Sequence, residues 1–427
     1  MKQPLTQYID AAGTVDLPTY ESRGGYDAFR QALQLPPCDV QAAVAASGLR
    51  GRGGAGFPTG RKWSFVPMGK AADGGVGEKY FIVNGDEMEP GTFKDRWLLE
   101  GDPHGIVEGA AIAAYAVEAS TAYMFIRQEY ARAVVRVEAA IAQARRAGYL
   151  GANIFGTRYS LTMHVHVSAG RYLCGEETAL INALEGRRPT PRAKPPFPQT
   201  QGVFGRPTVV NNVETVANLR HIVARGAAWF RSLSRGGDSG TKLYGVSGPV
   251  NRPGLWELPM GTELGEILDR AGGMRAGLAL RGLLPGGAST GFLLPEHLDT
   301  AMDFDSVSLA GSRLGTGTII VLDDRTCPVG FCANLMTFFA RESCGWCTPC
   351  REGLSWAAKL LHALEAGQGV TDDLAVLADL CRLAAPGNTF CALASGAVEP
   401  LASALQYFRE DFERHVRLAR CPYRGCG

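Results

Sequence analysis

This sequence has almost no excess of either charge. Its 43 Lys and Arg face 42 Asp and Glu, for a formal charge of +1, so no bulk field draws it to nucleic acid or to an anionic membrane. Partners must be argued from local features. Long apolar runs are missing too: the most apolar stretch, 105–125, is broken by Glu108 and Glu118, and the opening MKQPLTQYID has neither an apolar signal core nor an Arg-rich transit pattern. A soluble, cytoplasmic chain with no direct membrane insertion is expected. Cysteine is thin, with eleven in 427 residues, which excludes a disulfide scaffold and, in a reducing compartment, leaves thiols available as ligands. A chain this long exceeds what one core supports, so two to four domains are expected.

Three of the cysteines are crowded together. In ESCGWCTPCREG, Cys344, Cys347 and Cys350 follow one another at three-residue steps, so one tight loop can aim three thiolates at one metal centre. That spacing suits an iron-sulfur cluster with a fourth ligand from elsewhere; zinc is the alternative, though its sites more often pair two separated C-x2-C units. From residue 328 onward four apolar stripes at helical spacing suggest a four-helix bundle, the last stripe running Leu401, Leu405, Phe408, Phe412, Val416. The triple-cysteine loop joins the first two helices. Cys391, in the loop PGNTFC, can swing a thiolate inward as the fourth ligand, whereas Cys381 lies on a helix's apolar stripe and reads as core. Cys421 and Cys426 in the tail CPYRGCG read as loose thiols; Cys38, Cys174 and Cys327 have no assigned role.

The first half of the chain alternates strands and helices. Residues 1–40 carry turn residues and no motif, and read as an irregular arm. A helix over 39–49 then runs into GRGGAGFPTGRKW, where Gly51, Gly53 and Gly56 formally match G-x-G-x-x-G. That fingerprint should follow a strand, not a helix. What survives is bare backbone that approaches an anion or a flat ring, with Lys62 adding positive charge; the alternative is a plain flexible loop. A buried strand over 79–84 ends in NGDEMEPG, so Asn84, Asp86, Glu87 and Glu89 fall beyond a strand's carboxyl end, where ligands bind in open α/β sheets. Helices near 105–118 and 130–147 alternate with strands 121–127 and 161–167, the rhythm of a parallel sheet. His164 and His166 share a strand face and read as packing residues. A second acidic loop, GRYLCGEETAL, and a third candidate, NNVET, open helices after short apolar stretches, and between them the stiff RRPTPRAKPPFPQTQ can hold Lys194 and Phe197 over a cleft. Near residue 240 the pattern shifts to short strands around a helix over 262–270, capped by Thr262.

In that order, GRGGAGFPTGRKW, NGDEMEPGTFKDR, GRYLCGEETALINALEGRRP, NNVETVAN and ESCGWCTPCREG resemble the flavin-bearing NADH-oxidising subunit of bacterial respiratory complex I, from about residue 45 to about 415. The resemblance implies a multidomain α/β protein: an arm (1–40), a Rossmann-like FMN- and NADH-binding domain (41–240), a ubiquitin-like β-grasp domain of SLBB type (241–327) and a four-helix bundle with a [4Fe-4S] cluster (328–427). It implies cluster ligands Cys344, Cys347, Cys350 and Cys391. Gly51, Gly53, Lys62, Asn84, Asp86, Tyr172, Gly175, Glu176, Asn211, Asn212 and Thr215 would contact FMN, and Phe57, Phe65 and Phe197, with Lys194, Glu89 and Glu177, would contact NADH.

The implied chemistry is coherent, since NADH gives up two electrons as hydride while a cluster takes one at a time, and a flavin converts between them. Glu177 and Glu89 would then be the catalytic acids, Glu177 positioning the nicotinamide. Implied partners are a small [2Fe-2S] thioredoxin-like subunit and a larger iron-sulfur subunit, in the peripheral arm of an inner-membrane complex that delivers electrons to quinone. The alternatives are a diaphorase subunit of an NAD-reducing hydrogenase or an NAD-dependent formate dehydrogenase and, in a different class, a zinc-stabilised non-catalytic scaffold.

Overall fold

The computed structural model describes residues 2–9, 15–69 and 77–423; Cys426 lies outside them. The chain forms two compact units, the first comprising 1–88, 92–244 and 255–262 and the second 89–91, 245–254 and 263–427.

The first unit opens with helices where an irregular arm was expected: α1 (Leu17–Ser22), α2 (Asp27–Ala32) and α3 (Pro37–Ala46). Their anchor is Glu108, the residue that breaks the apolar run. Buried in α6 (Pro103–Ala116), it accepts hydrogen bonds from the Tyr20 hydroxyl and from Phe29 N (3.0 Å), and Arg220 bridges Tyr20 to Asp102. The glycine-rich loop leads into α4 (Thr59–Trp63), which packs on α3 so closely that a Cβ on Gly60 would lie 2.5 Å from Ala45 Cα.

Strands β1 (Tyr80–Gly85), β2 (Thr121–Arg127), β3 (Thr162–Ser168) and β4 (Thr208–Asn212) form a wholly parallel sheet in the order β3-β2-β1-β4. Helices α5 (Lys94–Gly101), α6 and α7 (Ala131–Arg146) connect them, followed by α8 (Glu177–Leu184) and α9 (Val213–Ala217) at the site described below. The strand order is that of a Rossmann-type sheet. His166, half-buried, stacks on Phe125 of β2, and His164, exposed, lies tilted against Tyr123.

Strands β5 (Thr241–Ser247), β6 (Gly254–Pro259), β7 (Leu280–Leu284) and β8 (Thr318–Asp323) make a second sheet ordered β6-β5-β8-β7, with β5 parallel and β7 antiparallel to β8. Thr262 does not cap the helix that follows. That helix spans Leu264–Arg270 behind Glu263, and the Thr262 hydroxyl donates instead to Pro259 O at 2.8 Å.

The second unit continues as helices over Pro328–Glu342, Leu354–Glu365, Thr371–Leu383, Ala392–Tyr407 and Arg409–Leu418. The stripe read as one last helix is therefore two: Phe408, at φ −118° and ψ 26°, leaves helical geometry and turns the chain. Among the described residues no helix is long and apolar enough to cross a membrane.

Candidate functional site

The chain steps from β1 outward to β2 and β3, then returns to add β4 on the other side of β1. This reversal makes a switch point, and ligands of open parallel sheets bind beyond the carboxyl ends of the strands there. Asn84, next to last in β1, lies directly opposite Asn212 at the end of β4. Asn84 Nδ2 donates to Gly175 O (3.2 Å) and its Oδ1 accepts from Asp86 N (3.0 Å), so four residues expected from the sequence meet at one crevice.

The glycine-rich loop is folded against the same crevice. Gly51 N donates to Phe57 O (2.9 Å), closing the loop, and Arg52 N donates to the Thr215 hydroxyl (2.8 Å). The Arg52 side chain, fully buried, ties the loop down through Ser239 O (2.6 Å) and Thr241 O (3.2 Å). A Cβ on Gly53 would sit 3.0 Å from Asn212 Cβ, whereas Gly175 faces open space. Glycine is needed at Gly53 for close approach.

Two lysines and two acids line the site. Lys62 Nζ pairs with Glu177 (2.7 Å) and donates to Val210 O (2.9 Å); Lys194 Nζ pairs with Glu176 (3.0 Å) and Glu177 (3.1 Å). Glu176 also caps α8, accepting from Thr178 N and Ala179 N. Burial works against the Glu177 charge, but the two lysines more than offset it and hold the carboxyl below its ordinary value. Lys194 begins two successive cis peptide bonds, Lys194-Pro195 and Pro195-Pro196. Phe57, Phe65 and Phe197 are all exposed, with the first two rings 6.3 Å apart, and Tyr172 is half-buried on the turn Tyr172–Gly175. Asn211 is held by Trp63 Nε1 at 2.9 Å.

Asp86 is buried, and the neighbouring Ser168 hydroxyl is the one donor its carboxylate draws on. Burial pushes it up to about 7, which Ser168 and Arg127 offset only in part. Such under-satisfied acceptors, beside bare glycine backbone and two lysines, fit a ligand that brings N–H or hydroxyl donors and a phosphate, as FMN does. In a cofactor-free chain a carboxyl whose pKa is raised holds its proton more tightly folded than unfolded, so its contribution to stability falls as pH climbs from about 4 to about 7. Asp86→Asn should therefore stabilise the cofactor-free chain more at pH 8 than at pH 5, by a few kcal/mol at most; equal melting shifts at the two pH values would contradict this.

Two acids expected in the crevice have other work. Glu87 caps α5, accepting from Lys94 N, Asp95 N and the Tyr130 hydroxyl. Glu89 belongs to the second unit, where its Oε1 accepts from Ser289 N at 2.6 Å. Sequence reasoning missed the buried ionic group behind the crevice. Lys94 pairs with Asp95 (2.7 Å) and Glu214 (2.9 Å), Lys242 pairs with Glu214 (3.3 Å), and Asp95 accepts from Asn212 Nδ2 (2.5 Å). Nothing in the local pattern separates these charges from surface ones.

In the second unit the four expected cysteines converge. Cys344 and Cys347 lie in the loop after Pro328–Glu342, and Cys350 sits on a π-helical turn, Pro349–Gly353. Cys391 immediately precedes the helix Ala392–Tyr407. The loop is closed by Arg351, which donates to Gly345 O (2.9 Å), with Gly345 at φ +80°. Burial pushes the Cys350 thiol up to about 12; the Ser343 hydroxyl, 3.1 Å away, works against this, and Cys347, Cys391 and Cys344 all add to it. The Cys350 thiol thus feels the other three, a donor set that fits a [4Fe-4S] cluster. Cys381 is buried on its helix, its nearest acceptor being Val398 O at 4.0 Å, as a core residue would be. Cys421 is no loose thiol: it is buried.

A model of the Nuo51 FMN-binding domain matches residues 44–221, one of the SLBB domain matches 243–293, and one of the NADH-ubiquinone oxidoreductase-F iron-sulfur binding region matches 330–415. The chain is 53% identical over 417 residues to the F-type subunit of NADH-quinone oxidoreductase of Salmonella typhimurium, covering 97% of this chain and 93% of the relative. It is 51% identical over 421 residues to the F-type subunit, numbered 2, of the same enzyme of Rhizobium meliloti, covering 98% and 99%. Among solved structures, an NAD+-reducing [NiFe]-hydrogenase in the H2-reduced state aligns at a TM-score of 0.83 and 36% identity, over 99% of this chain and 67% of that one.

Proposed function

Because this chain belongs to the family of F-type subunits of NADH-quinone oxidoreductase, we propose that the switch-point crevice binds FMN and NADH and that the four converging cysteines hold the [4Fe-4S] cluster that takes the electrons onward. The chain is an NADH-oxidising flavoprotein of complex I, with FMN and a [4Fe-4S] cluster as cofactors. FMN, when bound, accepts hydride from NADH and releases electrons singly.

The protein's own residues bind and orient. Bare backbone at Gly51 and Gly53, with Gly175 opposite, admits a flat ring against Asn84, Asn211 and Asn212, while Asp86 accepts from ligand hydroxyl or N–H groups. Lys62 meets a phosphate. Glu176 and Thr215 hold the α8 start and the glycine loop in position, and Tyr172 borders the ring. Phe57, Phe65 and Phe197 stack on the dinucleotide, with Lys194 for polar contact. Glu177 positions the nicotinamide.

The observation that carries this reading is Asp86, a buried acceptor with only the Ser168 hydroxyl as protein donor, just beyond β1 beside Asn84. We read the second sheet as a β-grasp domain and the cysteine-bearing helices as a four-helix bundle, with domain limits near 41, 241 and 328. Within complex I it assembles with other subunits of that enzyme; the small [2Fe-2S] subunit and a larger iron-sulfur subunit in the peripheral arm are the partners this reading names. The likeness to an NAD+-reducing hydrogenase supports a diaphorase role as second reading, at 36% rather than 53% identity.

Glu177 carries a test. Its negative charge beside the ring disfavours adding electrons there, so Glu177→Gln should raise the flavin midpoint potential and raise the KM for NADH several-fold. Redox titration and steady-state kinetics check this; if neither moves, Glu177 has no such role.

A further inference from the structure

A second group of metal-ligand type lies in the second unit, apart from the cluster cysteines and unused by the proposed reaction. Cys327 caps the helix Pro328–Glu342, Glu365 ends Leu354–Glu365, His415 lies on Arg409–Leu418, and Cys421 follows it. One ligand atom from each lies within 4.8 Å of all the others, the only such group among the described residues. The cluster cysteines form no group this tight among the described residues. We propose that Cys327, Glu365, His415 and Cys421 bind a single zinc ion that fastens the C-terminal segment to the helices.

Geometry carries the assignment. Cys327 Sγ is 2.8 Å from Glu365 Oε1 and 3.3 Å from His415 Nε2, which is 3.0 Å from the same Glu365 oxygen, and Cys421 also hydrogen-bonds Glu365. The edge of a tetrahedron with zinc bonds of about 2.1 Å is about 3.5 Å, so the ion is admitted when the Cys327–Glu365 contact opens by about 0.7 Å and the other two by less. His415 is fully buried, and its Nδ1 lies 2.7 Å from Asp411 O. That contact keeps the ring N–H on Nδ1 and turns Nε2 inward, the outer-shell support that metal-bound histidines have. Two thiolates, an imidazole and a carboxylate suit zinc better than magnesium or calcium. Binding displaces the two thiol protons to solvent, and all four ligand positions come from protein, as in structural rather than catalytic zinc sites. Cys327 and Glu365 lie far along the chain from each other and from the close pair His415 and Cys421, so the ion closes long loops in a region that holds no disulfide among the described residues.

The test uses the full chain as purified with its cluster. Elemental analysis should find about one zinc per chain, and zinc X-ray absorption should give two sulfur neighbours at about 2.3 Å and two nitrogen or oxygen neighbours at about 2.0–2.1 Å. Cys327→Ser with Cys421→Ser should lose the zinc and keep the iron. The absorption measurement on the natural chain stands even where the double variant fails to fold. Zinc below about a tenth per chain after incubation with equimolar Zn2+, a shell of four sulfurs marking occupation of the cluster cysteines, or full zinc in the double variant would each overturn the proposal.

Discussion

Cys391→Ser is expected to yield a chain that keeps its flavin and loses its cluster. A [4Fe-4S] centre takes four thiolates, and Cys344, Cys347 and Cys350 all sit on one side of the site, on a single loop and the turn that continues it. Cys391 closes the set from the start of another helix; a serine there offers a harder, less acidic ligand that holds iron poorly. Iron should fall from about four per chain to below about one, with the flavin absorption retained and NADH-driven reduction of one-electron acceptors down at least tenfold. Cys381→Ser is the matched control. Its thiol is buried on a helix with Val398 O as its acceptor at 4.0 Å, and it is not among the groups acting on Cys350, so iron should be unchanged. Iron that survives Cys391→Ser and vanishes in Cys381→Ser would reassign the fourth ligand.

The second large effect lies behind the crevice. Glu214 is wholly buried and pairs with both Lys94 and Lys242, while its other oxygen accepts from Leu243 N at 2.8 Å. Lys94 keeps Asp95 if Glu214 is removed, but Glu214 is the one acid within ion-pair distance of Lys242 among the described residues. Breaking a buried pair by removing one partner strands a charge at roughly 3–5 kcal/mol, whereas removing both is often close to neutral. Glu214→Gln should therefore cost roughly 3–5 kcal/mol in denaturant unfolding, and Glu214→Gln with Lys242→Met should recover most of it.

The loss also has a sign with pH. Burial pulls Lys242 down to about 7, with Glu214 holding it up against that. Without Glu214, Lys242 in the folded variant titrates lower still, so the loss relative to the natural chain is largest in acid, where the lysine must stay charged, and shrinks as pH rises to about 7, above which Lys242 is neutral in both folded chains. The deficit of the single variant should therefore be larger near pH 5 than near pH 8. A double variant no better than the single would show that the loss comes from packing and not from the stranded lysine.

What could be read in the sequence follows from locality. The strand ends carrying Asn84 and Asn212, the cysteine loop and the glycine loop are each written within about a dozen residues, and spacing alone reveals them. β2 occupies the residues expected of it, Thr121–Arg127. What failed to show was set by partners far along the chain. Glu108 breaks an apolar run because Tyr20, Phe29 and Arg220 surround it, and that same contact turns the expected irregular arm into packed helices. Arg52 looks like loop filler until its guanidinium reaches Ser239 and Thr241. Cys421 looks loose until Cys327, Glu365 and His415, from three other segments, close around it. Glu87 and Glu176 are both helix caps, a role no spacing separates from ligand contact.

The central claim is that one chain joins a two-electron flavin to a one-electron cluster. Its most direct test is the anaerobic absorption spectrum of the purified chain before and after NADH. Flavin and iron-sulfur bands that both bleach on adding NADH are predicted; a spectrum lacking those bands, or bands indifferent to NADH, would contradict it.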